Sequence, residues 1–268
     1  MSRVLFRVSA GFLVLALALL ALSLALSDYY LEKQRGLAIS GDLRGAMEAS
    51  RLAVRLDPFD AEALEAQASL LQQQGRSEEA LDALRQAVER DPNNYLPHLI
   101  LGNLQLSLGR FEEAEESYRE VLELNPRASA ASTGLAQALI RQGELEKARE
   151  IYERLAQRRE ITYLGLYDLG RLCVRTGEPE KGYRYIMRAR RQAAAGLDRL
   201  DGPARAERRE LIESMDLALA DALVVQGEYA RARQIIAQSD SEQAPALLHL
   251  LETDPEGYRR SVLSSEIY

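Results

Sequence analysis

The sequence predicts an all-α repeat protein, a solenoid of stacked helical hairpins, preceded by one membrane-spanning helix. Three observations carry this. Gly41, Gly75, Gly109, Gly143 and Gly177 stand at a constant interval of 34 residues. Ala46, Ala80, Ala114 and Ala148 keep the same interval, as do Pro58, Pro92 and Pro126. Near the amino terminus, Val8 to Leu26 carries no charge. A fixed period of this length means one supersecondary unit copied along the chain, each copy burying its apolar face against its neighbours.

Composition agrees. Of 268 residues, 47% are apolar and 28% charged, enough for a core and a solvated exterior. Trp is absent and Ala and Leu abound, a balance that favours helices over strands. The net charge of -7 argues against indiscriminate nucleic-acid binding. The lone cysteine, Cys173, rules out an intramolecular disulfide and a thiolate zinc cluster, and its apolar helical surroundings point to buried packing.

The first element is the apolar run. Val8 to Leu26 is 19 residues long, interrupted only by Ser9, Gly11 and Ser23. That is about the length an α-helix needs to cross the hydrocarbon core. Arg3 and Arg7 precede it without an acid, whereas Asp28 and Glu32 follow before Lys33 and Arg35. The positive-inside bias keeps the short leading tail in the cytoplasm and sends the rest outward. In a bacterium this is the periplasmic side of the inner membrane, a single-pass arrangement. Ala25-Leu26-Ser27 also offers small residues at a signal-peptidase spacing, so a cleaved, soluble protein is the competing reading. The run exceeds the usual signal-peptide core, which favours a retained anchor over residues 1–27. No Cys follows the segment, which excludes a lipoprotein anchor.

Next come five repeat units across residues 28–195. In the unit from Ala61 to Pro92, Ala63, Leu64, Ala68 and Leu71 recur at helical spacing, and Gly75 suits the left-handed conformation past a helix end. A second helix is expected from Ser77, with Glu78 and Glu79 in its first turn and Ala80, Leu81, Leu84, Ala87 and Val88 as its buried stripe. Asp91-Pro92 closes the unit. Ala46, Ala80, Ala114 and Ala148 are small where the two helices cross closely; Gly182 takes that place in the fifth unit and Ala232 in a sixth. The interval from Gly177 to Gly227 is 50, so 16 residues are inserted. Gly196 and Asp201-Gly202-Pro203 mark the break, and residues 196–240 read as an insertion loop followed by a sixth hairpin. Residues 241–268, with Asp254-Pro255 starting a last short helix, read as a cap.

These residues resemble the tetratricopeptide repeat (TPR) family. Unit three shows Leu101-Gly102, Gly109, Ala114, Tyr118 and Pro126. Unit four shows Leu135-Ala136, Leu139, Gly143, Ala148 and Tyr152, and unit five Leu169-Gly170, Gly177 and Ile186. Unit one departs, with Lys33-Gln34 in place of the Leu-Gly pair. The resemblance implies a right-handed superhelix in which the first helix of each pair lines an inner groove. Its groove candidates, carried over by matching position, are Leu99, Asn103, Thr133, Gln137, Arg141, Tyr167, Arg171 and Arg175. Asn, Gln and Arg there would hydrogen-bond a peptide, with Leu99 and Tyr167 as apolar contacts. The subset of the family that grips chaperone tails needs Lys and Asn where Glu65 and Ser69 stand, so no such clamp is expected.

A second candidate surface is basic. From Lys181 to Arg209 nine cations oppose Asp198, Asp201 and Glu207, a net of +6 that leaves the remainder of the chain at -13. Arg184, Arg188, Arg191, Arg205, Arg208 and Arg209 form this candidate patch for an acidic partner or anionic headgroups, with a plain solvated helix face as the alternative. His98 and His249 lie far apart without a motif, and Glu112-Glu113 and Glu115-Glu116 read as surface residues. No catalytic residue, metal site, cofactor or nucleic-acid partner is expected. The leading expectation is a membrane-anchored scaffold for protein or peptide partners in envelope complex assembly, not an enzyme. Alternatives are a cytoplasm-facing membrane-tethered adaptor in lipopolysaccharide regulation and a cleaved periplasmic chaperone-like protein.

Overall fold

The computed structural model describes residues 2–264, with side-chain environments described for 11–264. Met1 of the expected anchor and the last four residues of the expected cap lie outside the described residues. All regular structure in the described residues is helical, and the chain divides into two compact units, Met1–Pro126 and Arg127–Tyr268.

The first unit holds α1 (Ser2–Ile39), α2 (Leu43–Leu56), α3 (Ala61–Gln73), α4 (Ser77–Arg90), α5 (Tyr95–Ser107) and α6 (Phe111–Leu124). They form three successive antiparallel hairpins, each packed on the next. Helices of 13 or 14 residues are marginal alone, so stacking supplies their stability. Local signals set their ends. The carboxylates of Asp42 and Asp60 and the amide oxygen of Asn94 accept N–H groups at the starts of α2, α3 and α5. At the turns, Gly41, Gly75 and Gly109 take positive φ, and the next amide bonds back to Leu37, Leu71 and Gln105 carbonyls at 2.9–3.0 Å. This is the Schellman closure that glycine permits without strain. Ala46, Ala80 and Ala114 are fully buried at the crossings, beside Leu70, Leu81, Leu84 and Tyr118.

Helix α1 does two jobs without a break. Leucines between Leu13 and Leu22 are more than half exposed, whereas Ser27, Leu31 and Gln34 are buried. The carboxyl-terminal part of α1 is therefore the first helix of hairpin one. Ser27 donates to the Ala53 carbonyl at 3.0 Å and Ser23 to the Leu56 carbonyl at 2.6 Å, fixing α2 against it.

The second unit holds α7 (Ser129–Arg141), α8 (Leu145–Arg158), α9 (Tyr163–Arg175), α10 (Pro179–Ala194), a 3-10 turn (Leu197–Arg199), α11 (Gly202–Gln226), α12 (Tyr229–Ala237), α13 (Ala244–Thr253) and α14 (Pro255–Ser264). The inserted residues lengthen α10 to 16 and α11 to 25 residues, joined through Gly196, with α11 beginning at Gly202. Ala148 and Ala232 are fully buried. Gly182 is required: a Cβ there would stand 2.6 Å from the Gly170 carbonyl, so α9 and α10 touch backbone to backbone. The core gathers Leu166, Ile186, Met215, Leu219, Leu223, Ile236 and Tyr258. The final helix, α14, lies on α9 and α11 as well as on α13.

Candidate functional site

The expected groove residues fall at intervals of four on first helices, which puts each set along one helix face. In the first unit, Leu99 is half-buried on α5 and Asn103 is exposed one turn later. The Tyr118 hydroxyl, itself buried on α6, donates to Asn103 Oδ1 at 2.8 Å and holds that amide in place. Burial pushes the Tyr118 hydroxyl up to about 12, so it stays a donor at any ordinary pH. On α3 the same register carries Glu65. Burial first, then Glu62, Asp60 and Asp91, push its carboxyl up to about 7. Such surroundings repel a second carboxylate, which disfavours the end of an acidic tail at this place.

In the second unit, α7 presents Thr133 and Gln137, half-buried, and Arg141, exposed. On α9, Tyr167, Arg171 and Arg175 are half-buried. The Tyr167 hydroxyl donates to the Ser214 carbonyl of α11 at 3.3 Å, and the Arg171 guanidinium stacks 5.5 Å from the Tyr167 ring centre. Burial raises the Tyr167 hydroxyl above its usual range, with the Arg171 charge opposing.

Part of this face is already occupied. Tyr258 of α14 is buried and donates to Asp221 Oδ1 of α11 at 2.8 Å. Val262 follows one turn later and closes over Arg171, Arg175, Ala218 and Asp221, leaving a cavity of about 40 Å³. That volume admits a few waters and no peptide. Burial, opposed by the Tyr258 hydrogen bond and the Arg171 charge, pushes the Asp221 carboxyl up to about 6. The Tyr258 hydroxyl is raised by burial and then by the Asp221 charge. The chain's own last helix thus seats on the Arg171–Arg175 end, while the α7 residues lie outside that contact.

Asp168, Asp221 and Tyr258 escaped the sequence reading. Asp168 is buried on α9 and accepts the Tyr152 hydroxyl at 3.2 Å, the same inward tyrosine that serves Asn103 in hairpin three. The signal available was Tyr118 and Tyr152 at the 34-residue interval. Nothing comparable marked Asp221, whose partner lies 37 residues away.

The basic residues do not share one environment. Arg184, Arg188 and Arg191 are exposed along α10. Arg205 pairs with Asp198 at 3.7 Å. Arg208 stacks 4.6 Å from the Tyr163 ring centre and reaches the Ala193 carbonyl at 3.4 Å, bracing the long α11. Arg209 is exposed on α11. Cys173 is fully buried, and burial pushes its thiol up to about 12, which makes it inert. Among the described residues no cluster of three or more His, Cys, Asp or Glu is arranged to hold a metal ion.

Family models described as tetratricopeptide repeat match residues 71–117, 100–161 and 216–238. Among solved structures, pilF of Pseudomonas aeruginosa aligns with a TM-score of 0.61 at 19% identity, over 80% of this chain and 90% of its own. A MamA protein aligns at 0.58 and 19% identity, over 66% of this chain and 97% of its own. YrrB, described as a TPR protein with an unusual peptide-binding site, aligns at 0.52 and 19% identity, over 60% and 82%. Identities this low establish a common fold and no more. No curated protein matches the sequence significantly.

Proposed function

This chain belongs to the tetratricopeptide-repeat family, and we propose that it is a membrane-anchored, non-catalytic scaffold that holds protein partners of an envelope complex. The observation that carries the reading is the unbroken α1. Its exposed apolar turns continue straight into the buried first helix of hairpin one, so the array has no linker between itself and the bilayer. Confinement to the membrane raises the array's effective concentration against membrane complexes. Asn103 in the first unit and Thr133, Gln137 and Arg141 in the second are the partner contacts of this reading. Arg171 and Arg175 join them when α14 lifts away.

A topology reporter fused after Tyr268, together with the intact mass of the mature protein, tests it. An outward signal with the full mass supports an extracytoplasmic anchored scaffold. A cytoplasmic signal would reverse the orientation derived from Arg3 and Arg7, and a mass lacking the first 25 to 27 residues would replace the anchor with a cleaved leader. For partner capture, replacing Gln137 and Arg141 with Ala should lower the yield of crosslinked partners about tenfold, the effect of losing one or two charged hydrogen bonds. Unchanged capture would remove α7 from the binding face.

A further inference from the structure

We propose that the turn between α2 and α3, Asp57–Asp60, is a second membrane contact in which Phe59 seats in the lipid–water interface beside the spanning helix. This builds on the anchored reading above and adds a lipid-facing surface to it.

The level of this turn along the spanning helix follows from how α2 is pinned to α1. Helices α1 and α2 run antiparallel, and two hydrogen bonds fix their register: Ser27 to the Ala53 carbonyl and Ser23 to the Leu56 carbonyl. The turn therefore leaves α2 at the level of Ser23, three residues inside the apolar stretch that ends at Leu26. If the membrane began only below Ser23, the uncharged residues Val8 to Leu22 would have to span it alone. Those 15 residues give a helix of about 22 Å, short of the roughly 30 Å hydrocarbon core. Counting to Leu26 gives 19 residues and about 28 Å, which matches. The matching length requires the Ser23 turn of α1, and with it the end of α2, to sit at the membrane surface.

What the chain places there fits that surface. Phe59 is 84% exposed, an aromatic ring presented almost wholly outward. The Asp57 carboxylate accepts the Phe59 N–H and the Asp60 carboxylate accepts the Glu62 N–H, both at 2.9 Å, so the turn holds its own shape while presenting the ring. Tyr29, 58% exposed, stands on α1 just past Ser27, at the depth where aromatic rings collect. Ile39 is the contrast. It is 89% exposed too, but lies 13 residues beyond Leu26, about 20 Å farther along the helix and clear of any bilayer.

The natural chain has no Trp, so single substitutions report one place each. Full-length Phe59→Trp, Phe12→Trp and Ile39→Trp would be reconstituted in nanodiscs of phosphatidylcholine and phosphatidylglycerol, with and without bromine-labelled acyl chains. The expected result is blue-shifted, bromine-quenched emission from the variants at 12 and 59, and water-like, unquenched emission from that at 39. Quenching at 12 with water-like emission at 59 would overturn the interfacial turn and leave the anchor standing. Water-like emission at 12 would remove the anchor, and this proposal with it. Should the Trp at 59 disturb folding, a Phe59→Cys variant carrying a polarity-sensitive dye gives the same readout, since Cys173 is buried and unreactive.

Discussion

At the scale of single residues, the array is governed by where volume and charge are allowed. Each hairpin crossing trades size between its two helices. Gly102 faces the Tyr118 ring, to which an added Cβ would come within 3.0 Å, and Gly170 faces Ile186, where it would come within 2.4 Å. At Gly182 the neighbour is backbone, with the Gly170 carbonyl 2.6 Å from an added Cβ, so it cannot turn aside. Gly182→Ala should lower the stability of the second unit by about 1–3 kcal/mol, the usual cost of overpacking, read by thermal or denaturant unfolding; an unchanged midpoint would mean α9 and α10 are not in backbone contact. Asp221 makes a different prediction. Its folded carboxyl lies at about 6, raised by burial above the ordinary 3.8. The folded state then binds the proton more tightly than the unfolded one, so this contribution is full below about pH 4 and is lost as pH rises through about 6. Asp221→Asn should flatten that window of the melting-temperature profile, and a profile identical to the parent's would show that the carboxyl stays ionised. The glycine exchange was legible in the sequence, because a fixed interval exposes any departure from alanine. Asp168 and Asp221 were not, because their tyrosine partners come from other helices.

Among the elements, helices alternate between two roles, and α14 departs from both. The turn glycines were readable from their interval, whereas the polar caps of Asp42, Asp60, Asn94 and Thr162 are local chemistry that the structure shows at the helix starts. The placement of α14 is a matter of which exposed apolar face it meets. Its Tyr258 and Val262 turn inward onto α11 and α9, and the Tyr258 hydroxyl donates to the largely covered Asp221 carboxylate. Tyr258→Phe should therefore cost about 1–3 kcal/mol, the penalty of an unsatisfied buried group. Amide exchange should quicken through Pro255–Ser264 and along the second half of α11. Exchange confined to parent rates would place α14 off that face. The same variant should bind partners through Arg171 more readily if the helix is a removable cover.

Over the whole molecule, two compact units and an apolar helix divide the work. Residues Gly11–Leu22 are exposed along α1, so a protein starting at Ser23 should unfold at the same midpoint as the full chain in detergent. One starting at Asp28 loses both serine hydrogen bonds to α2 and should be less stable by about 1–3 kcal/mol, at roughly 0.5–1.5 for each bond. Equal stability of the two would mean the serines only decorate the contact. The charge asymmetry around the insertion also resolves at this scale. Arg208 braces α11 against Tyr163 and the Ala193 carbonyl and Arg205 only approaches the exposed Asp198, whereas Arg184, Arg188, Arg191 and Arg209 face solvent. The amino-acid sequence by itself determined the hairpin, its period, its small crossings and the apolar run, because each depends on residues within one unit or one segment. The sequence also left the apolar run free to continue into hairpin one, since nothing from Ser27 to Leu37 forces a break. Only the tertiary structure decided that α2 ends level with Ser23. It alone seated the last helix on α9 and α11. Those are contacts between separate segments, whose pairing depends on shape complementarity that no interval in the chain records.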